Sequence, residues 1–244
     1  MRQLASVTIV LLLAIPLGMQ TSVARSTVNP SAWCTGLSGN GPGPILNRTV
    51  IWVPEARTQG GFNQSFNDVY AANGSSCSKS AVRMAAFTLE GQLNGTRLGT
   101  TGNDQLAIFA TDDTVRFSGR EWGWVTKLTD NAILGYYQDP LIEPGLAYCV
   151  TGLTGDNIKH AFTVAVSSGV QGSSQAITLR YMVDGKVRCS LAVRGEPEFS
   201  EATYTLWITT HRTENSWDAG NGVGIRITRS YYQPLRPGPE MAHN

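Results

Sequence analysis

The chain is short of charge. Lys, Arg, Asp and Glu make up 15% of its 244 residues, and 19 basic residues face 18 acidic ones. A balance this even exerts no overall pull toward nucleic acid or an anionic membrane, so neither is expected as a partner. Histidine is scarce too, with His160, His211 and His243 the full set. Catalytic motifs are missing: there is no His-Glu-x-x-His and no Gly-x-Ser-x-Gly elbow. Glycines cluster at Gly95 to Gly102 and Gly220 to Gly224, but without the strand-to-helix setting and lysine of a phosphate loop. No cofactor and no metal are expected.

One long apolar run exists, and it lies at the N-terminus. Met1-Arg2 gives a short positive start, Ala5 to Gly18 is almost unbroken apolar, and Ser22-Val23-Ala24 offers small residues to a signal peptidase. About 14 apolar residues fall short of the roughly 20 a spanning helix needs, so residues 1–24 read as a cleavable signal peptide. No later stretch is long and apolar enough to span a bilayer, and none is expected after cleavage. The destination is therefore secreted, periplasmic or cell-surface.

Cys34, Cys77, Cys149 and Cys189 then arrive in an oxidising compartment as an even number. Of three connectivities, 34–77 and 149–189 are favoured, because each closes a loop of about 40 residues within its own half of the chain. Each such crosslink stabilises by about 3–4 kcal/mol on the chain-entropy account. No two cysteines are within four residues of each other and no histidine is near them, which excludes zinc spacing.

Gly (26), Ser and Thr are abundant where charge is not, a composition that disfavours helices. Short apolar runs alternate with turn residues roughly every ten positions, the rhythm of an all-β sandwich or barrel. Strands are expected at 45–53, 84–91, 105–110, 114–118, 122–128, 132–137, 146–151, 160–167, 175–182, 186–194, 203–211 and 222–232. Residues 79–90 also fit one face of a helix. Residues 25–44 read as an irregular lead-in tied down by Cys34. The expected fold is an antiparallel β-sandwich, jelly-roll-like or Greek key, over a single domain at 25–232, with two disulfides and at most short helices. The Pro-rich tail 233–244 should be extended or flexible.

A hairpin centred on Asp184-Gly185 can be read in detail. A two-residue loop opposes Tyr181 to Arg188 and mixes the faces. A three-residue loop, with Gly185 left-handed, opposes Tyr181 to Val187, Leu179 to Cys189 and Ile177 to Leu191, and keeps the apolar face whole. The second register is expected, with Arg180 against Arg188 on the other face. Trp122 and Trp124 share one strand face and read as core. Of Tyr136-Tyr137 and of Tyr231-Tyr232, alternation sends one residue each inward.

The segment Thr213 to Gly222 is longer than the two to five residues usual in a hairpin connection. It sets Trp217 among Glu214, Asn215, Asp218 and Asn221. Sugars present CH faces to stack on an indole and hydroxyls to pair with Asp and Asn, so these five residues are the candidate ligand site. The alternative is that Trp217 plugs the loop onto the core. His160 and His211 lie at strand edges with no carboxylate patterned beside either, and read as structural. Asn47, Asn63, Asn73 and Asn94 each begin an Asn-x-Ser/Thr glycosylation acceptor.

The function this supports is a binding or adhesion module rather than an enzyme, with a glycan or other cell-surface ligand held by loops. A paired Cys34–Cys77 early in the mature chain, together with the strand NGVGIRIT at 221–228, resembles exported fimbrial subunits of bacteria. The resemblance is confined to those two features, and the second lies near the chain end rather than where that family has it. It implies a structural or assembly subunit as an alternative. A secreted hydrolase is the other alternative, because two carboxylates can converge from any two points in a sequence.

Overall fold

A computed structural model describes residues 29–38, 43–46, 51–54, 65–94, 105–112, 119–127, 131–140, 145–156, 158–171, 174–193, 199, 201–212 and 224–234. They form two antiparallel sheets packed face to face. The front sheet runs, edge to edge, β1 (Ala32–Ser38), β4 (Ser65–Asn73), β14 (Thr205–Arg212), β7 (Gln105–Thr111), β8 (Glu121–Lys127), β9 (Ala132–Gln138) and β10 (Leu146–Thr154), with the short β5 (Ser78–Lys79) beside β4. The back sheet runs β13 (Lys186–Val193), β12 (Ser174–Val183), β11 (His160–Gln171), β6 (Met84–Asn94), β15 (Gly224–Pro234), β3 (Ile51–Pro54) and β2 (Ile45–Leu46). A turn of 3₁₀ helix, Gly74–Ser76, follows β4. The all-β sandwich expected from the sequence is the fold observed.

The core lies between the sheets and is built from alternate residues of each strand. Trp122 and Trp124 of β8 are fully buried there. Trp124 meets Tyr181 of β12 edge to face at 5.4 Å and Phe162 of β11 at 5.6 Å. Trp122 packs on Phe87 at 5.2 Å and Tyr204 at 5.4 Å. Gly135 makes room for this: a Cβ at that position would stand 2.6 Å from the Tyr181 ring and 2.8 Å from Cys149 Sγ.

Two expectations about elements change. The lead-in is not wholly irregular, since β1 pairs with β4, and β4 itself was not anticipated because its buried Asn67 and Asp68 break the apolar pattern. The helical reading of 79–90 fails because β6 is a central strand with β11 on one side and β15 on the other. Burial on both faces makes Met84 to Leu89 a continuous buried run, which periodicity cannot distinguish from helix.

The hairpin register is also corrected. Asp184 and Gly185 form a two-residue turn with φ of 52° and 75°, the type I′ geometry. Val183 pairs with Lys186 and Met182 with Val187, then Tyr181 pairs with Cys189, leaving Arg188 as an extra residue. This β-bulge repairs the face mixing that a two-residue loop would otherwise cause. Leu179 therefore faces Leu191, Ile177 faces Val193, and Arg180 faces Ser190 rather than Arg188.

Both disulfides have the favoured connectivity. Cys34–Cys77 joins β1 to the turn beyond β4, with Cα atoms 5.7 Å apart. Cys149–Cys189 joins β10 to β13, 6.0 Å apart, and so ties one edge of the front sheet to one edge of the back sheet. No helix among the described residues is long and apolar enough to cross a membrane.

Candidate functional site

The outer face of the front sheet, turned away from the core, is not an ordinary solvated surface. If Trp122 and Trp124 point inward, Glu121, Gly123 and Val125 must point outward, since side chains alternate along a strand. Their cross-strand partners continue the pattern. Tyr70, Trp207, Phe109, Gly123, Tyr136 and Tyr148 are successive partners across β4, β14, β7, β8, β9 and β10. An aromatic row thus crosses the sheet at right angles to its strands, interrupted only by glycine. Phe109, Val125, Leu134, Tyr136 and Trp207 form a second buried apolar cluster, separate from the core.

Glycine at 123 is required, because a Cβ there would fall 2.1 Å from the carbonyl oxygen of Ile108. With no side chain between them, the Phe109 and Tyr136 rings approach to 6.5 Å. A shallow, partly open cavity lies beside them, its about 350 Å³ of empty space including open solvent. Phe109, Tyr136 and Tyr148 give it aromatic walls, and Glu121, Gln138 and Thr209 give it polar ones. Glu121 is 1% exposed and receives the Tyr136 hydroxyl at 3.5 Å. Tyr148 and Leu146, on the edge strand, are each 42% exposed, so the open side is over β10. Partial burial holds the Tyr148 phenol above its ordinary pKa of 10, and it stays a neutral hydrogen-bonding group.

The far end of the aromatic row is closed. Lys79 Nζ stands 4.8 Å from the Trp207 ring and 5.9 Å from that of Tyr70, cation–π distances. Trp207 Nε1 is buried and finds no acceptor among the described residues. Asp68, buried on the same face, accepts the Thr209 hydroxyl.

Glu121 is positioned from the start of its strand. Arg120 donates through Nε to Asp139 Oδ2 at 3.1 Å and through Nη1 to Asp112 Oδ2 at 3.2 Å, while its backbone N–H reaches Asp112 Oδ1 at 2.7 Å. Partial burial lowers the guanidinium pKa, but Asp139 and Asp112 more than compensate and it remains charged. Tyr137 donates to Asp139 Oδ2 at 3.0 Å. These two carboxylates converge on one cation and do not line the cavity. Asp68 and Glu121 are three strand spacings apart across the sheet and four residues apart along it, about 20 Å between their backbones, which exceeds the span of a glycosidase pair.

The loop residues predicted from the sequence, Trp217, Glu214, Asn215, Asp218 and Asn221, lie outside the described residues. The strands they connect explain the length of the segment: β14 belongs to the front sheet and β15 to the back, so a hairpin turn cannot join them. Glu121, Gln138, Tyr148 and Phe109 were missed as site residues. The inward Trp122 and Trp124 carried the signal for Glu121, but nothing in the sequence paired it with Tyr136 and Tyr148.

Among the described residues no cluster of histidine, cysteine or carboxylates could hold a metal ion. His160 is not isolated, contrary to expectation. Its Nδ1 lies 2.7 Å from Asp184 Oδ2 and its Nε2 lies 3.4 Å from Asp156 Oδ2, at the far end of the back sheet.

No protein-family model matches the chain, and no curated protein matches its sequence. Solved structures do share its fold. An endo-1,3-β-glucanase from Streptomyces sioyaensis superposes with a TM-score of 0.57 at 11% identity, over 87% of this chain and 92% of the glucanase. A β-1,3-1,4-glucanase from a mouse hindgut metagenome gives 0.54 at 8% identity, over 86% and 99%. An alginate lyase from Pseudomonas aeruginosa gives 0.52 at 11%, over 85% and 100%. At these identities the likeness is one of fold.

Proposed function

We propose that this chain is an exported glycan-binding module whose ligand occupies the cavity on the outer face of the front sheet. The observation that carries the reading is the mixed lining: aromatic walls for the CH faces of a sugar ring, with Glu121, Gln138 and Thr209 for its hydroxyls. The similar structures include two β-glucanases and an alginate lyase, which supports a glycan as the ligand class. The segment 213–222 is a second contributor, since β14 carries Thr209 in the cavity and ends at Arg212, about 10 Å further along the strand. Trp217, Glu214, Asn215, Asp218 and Asn221 then extend the site from its rim.

Retention on immobilised polysaccharides tests this. Wild type is expected to be held by at least one β-glucan or uronate polymer, with Glu121→Gln and Trp217→Ala each held less strongly. A protein that no polysaccharide retains sinks the proposal, and Trp217→Ala behaving as wild type removes the loop from it.

A hydrolase is the second reading, favoured by the burial of Glu121 against the cavity. It needs a second carboxylate in the cavity, and Glu121 is the one carboxylate among the described residues that line it. Release of reducing ends from β-glucan, abolished in Glu121→Gln, decides for the hydrolase.

A further inference from the structure

We infer that the ligand of this face is an extended polysaccharide whose chain leaves the cavity and continues along edge strand β10, over Tyr148 and Val150. This rests on the glycan-binding reading and adds to it the form of the ligand, an internal stretch of polymer rather than a terminal sugar.

β10 alternates cleanly. Cys149, Thr151 and Leu153 turn inward, while Leu146, Tyr148 and Val150 turn to the outer face. Leu146 and Tyr148 belong to the cavity wall. Val150 is the next residue on that side, paired with Leu134 of β9, and is 76% exposed. Exposed apolar residues scattered singly need no explanation, but three in succession on one strand face form a patch. The stripe spans about 13 Å and is continuous with the cavity. Its lower part is flanked by Gln138 and Glu121, so apolar contact and hydrogen bonding lie side by side. A chain of sugar rings presents that combination; a lipid surface or an apolar peptide does not.

Pairing by a second copy is disfavoured at this edge. The ladder with β9 shifts register between Val150 and Leu153, and Gly152 takes a φ of 71°. Bulges of this kind twist an edge strand away from a new partner. The strand is also fixed from behind by the Cys149–Cys189 bond and by the Thr151 hydroxyl donating to the Ile133 carbonyl. A track held in place before the ligand arrives loses little freedom on binding.

Calorimetric titration of the full chain with β-1,3, mixed β-1,3-1,4 and alginate oligosaccharides, from disaccharide to hexasaccharide, tests the inference. Affinity for the ligand series that binds should climb with length. Val150→Ser should cut hexasaccharide affinity by about fivefold or more and flatten the length dependence. Tyr148→Ala should cut it by about tenfold, while Val187→Ser, an exposed valine on β13, should match wild type. Affinity independent of length, with Val150→Ser binding like wild type, overturns the track and leaves the cavity reading standing. No binding by any series overturns both. A dimer in sedimentation that Val150→Ser weakens assigns the stripe to a second copy and overturns the track.

Discussion

His160 illustrates what one residue can hide in a sequence. Asp156 stands four positions before it and Asp184 twenty-four after, and the structure brings both carboxylates to the ring. Partial burial pulls the imidazole pKa down, but the hydrogen bonds to Asp184 and Asp156 outweigh it and hold the group above its ordinary 6.5. Asp184 is in turn held below 3.8, first by the Ala161 N–H and then by His160. A raised histidine stabilises the fold below its unfolded pKa, and that contribution fades as pH rises through the folded value. The lowered aspartate works in the opposite sense, losing its contribution as pH falls through its own folded value. Wild type should therefore lose stability relative to His160→Gln as pH goes from about 5.5 to about 8.5, read from urea midpoints of both proteins. An equal gap between them at both ends would show that the imidazolium is not the source. The Glu121 position, by contrast, was legible: two inward tryptophans fix which way their neighbours point.

At the scale of elements, the hairpin of β12 and β13 shows how a local rule and a global one are reconciled. Asp-Gly is a strong two-residue turn, and the apolar alternation asks for a different register. The chain keeps the turn and inserts Arg188 as a bulge, so both are satisfied. Alternation alone points to the three-residue turn, because a bulge leaves no mark of its own in such a pattern. Deleting Arg188 should leave a regular two-residue hairpin in which Tyr181 still faces Cys189, with the residues beyond it on their native faces and Cys189 still within reach of Cys149. Thiol titration of the unfolded deletion variant should then find no free cysteine, with stability reduced by less than the about 3–4 kcal/mol the crosslink is worth. Free cysteines in that variant would show that β13 needs the bulge itself, and not only the register, to reach Cys149.

Across the whole molecule, the two disulfides have unequal reach. Cys34–Cys77 fastens β1 and the turn after β4, within the front sheet's own edge. Cys149–Cys189 spans the sheets and holds the strand that supplies Leu146 and Tyr148 to the cavity. Replacing Cys149 and Cys189 together by serine should cost about 3–4 kcal/mol and make β10 amides exchange fastest among the front-sheet strands. The corresponding Cys34 and Cys77 variant should leave β10 protection unchanged. Comparable loss in β10 for both variants would mean the crosslinks act only on the unfolded chain.

The class of fold and the inward face of β8 follow from the chain alone, which also favours the observed cysteine pairing among three connectivities. Each depends on neighbours along the chain: period-two alternation, an even cysteine count in two halves, and tryptophans at i and i+2. The late strands β14 and β15, however, insert into the middle of the two sheets, between β4 and β7 and between β6 and β3. Only that insertion sets Trp207 and Thr209 beside Phe109 and Ala107, and so completes the face that holds the cavity. Strand order is chosen by long-range burial, which leaves no periodic trace in the residues that take part. The place of the candidate site, on a sheet face crossed by an aromatic row, is therefore set by the order in which the strands assemble.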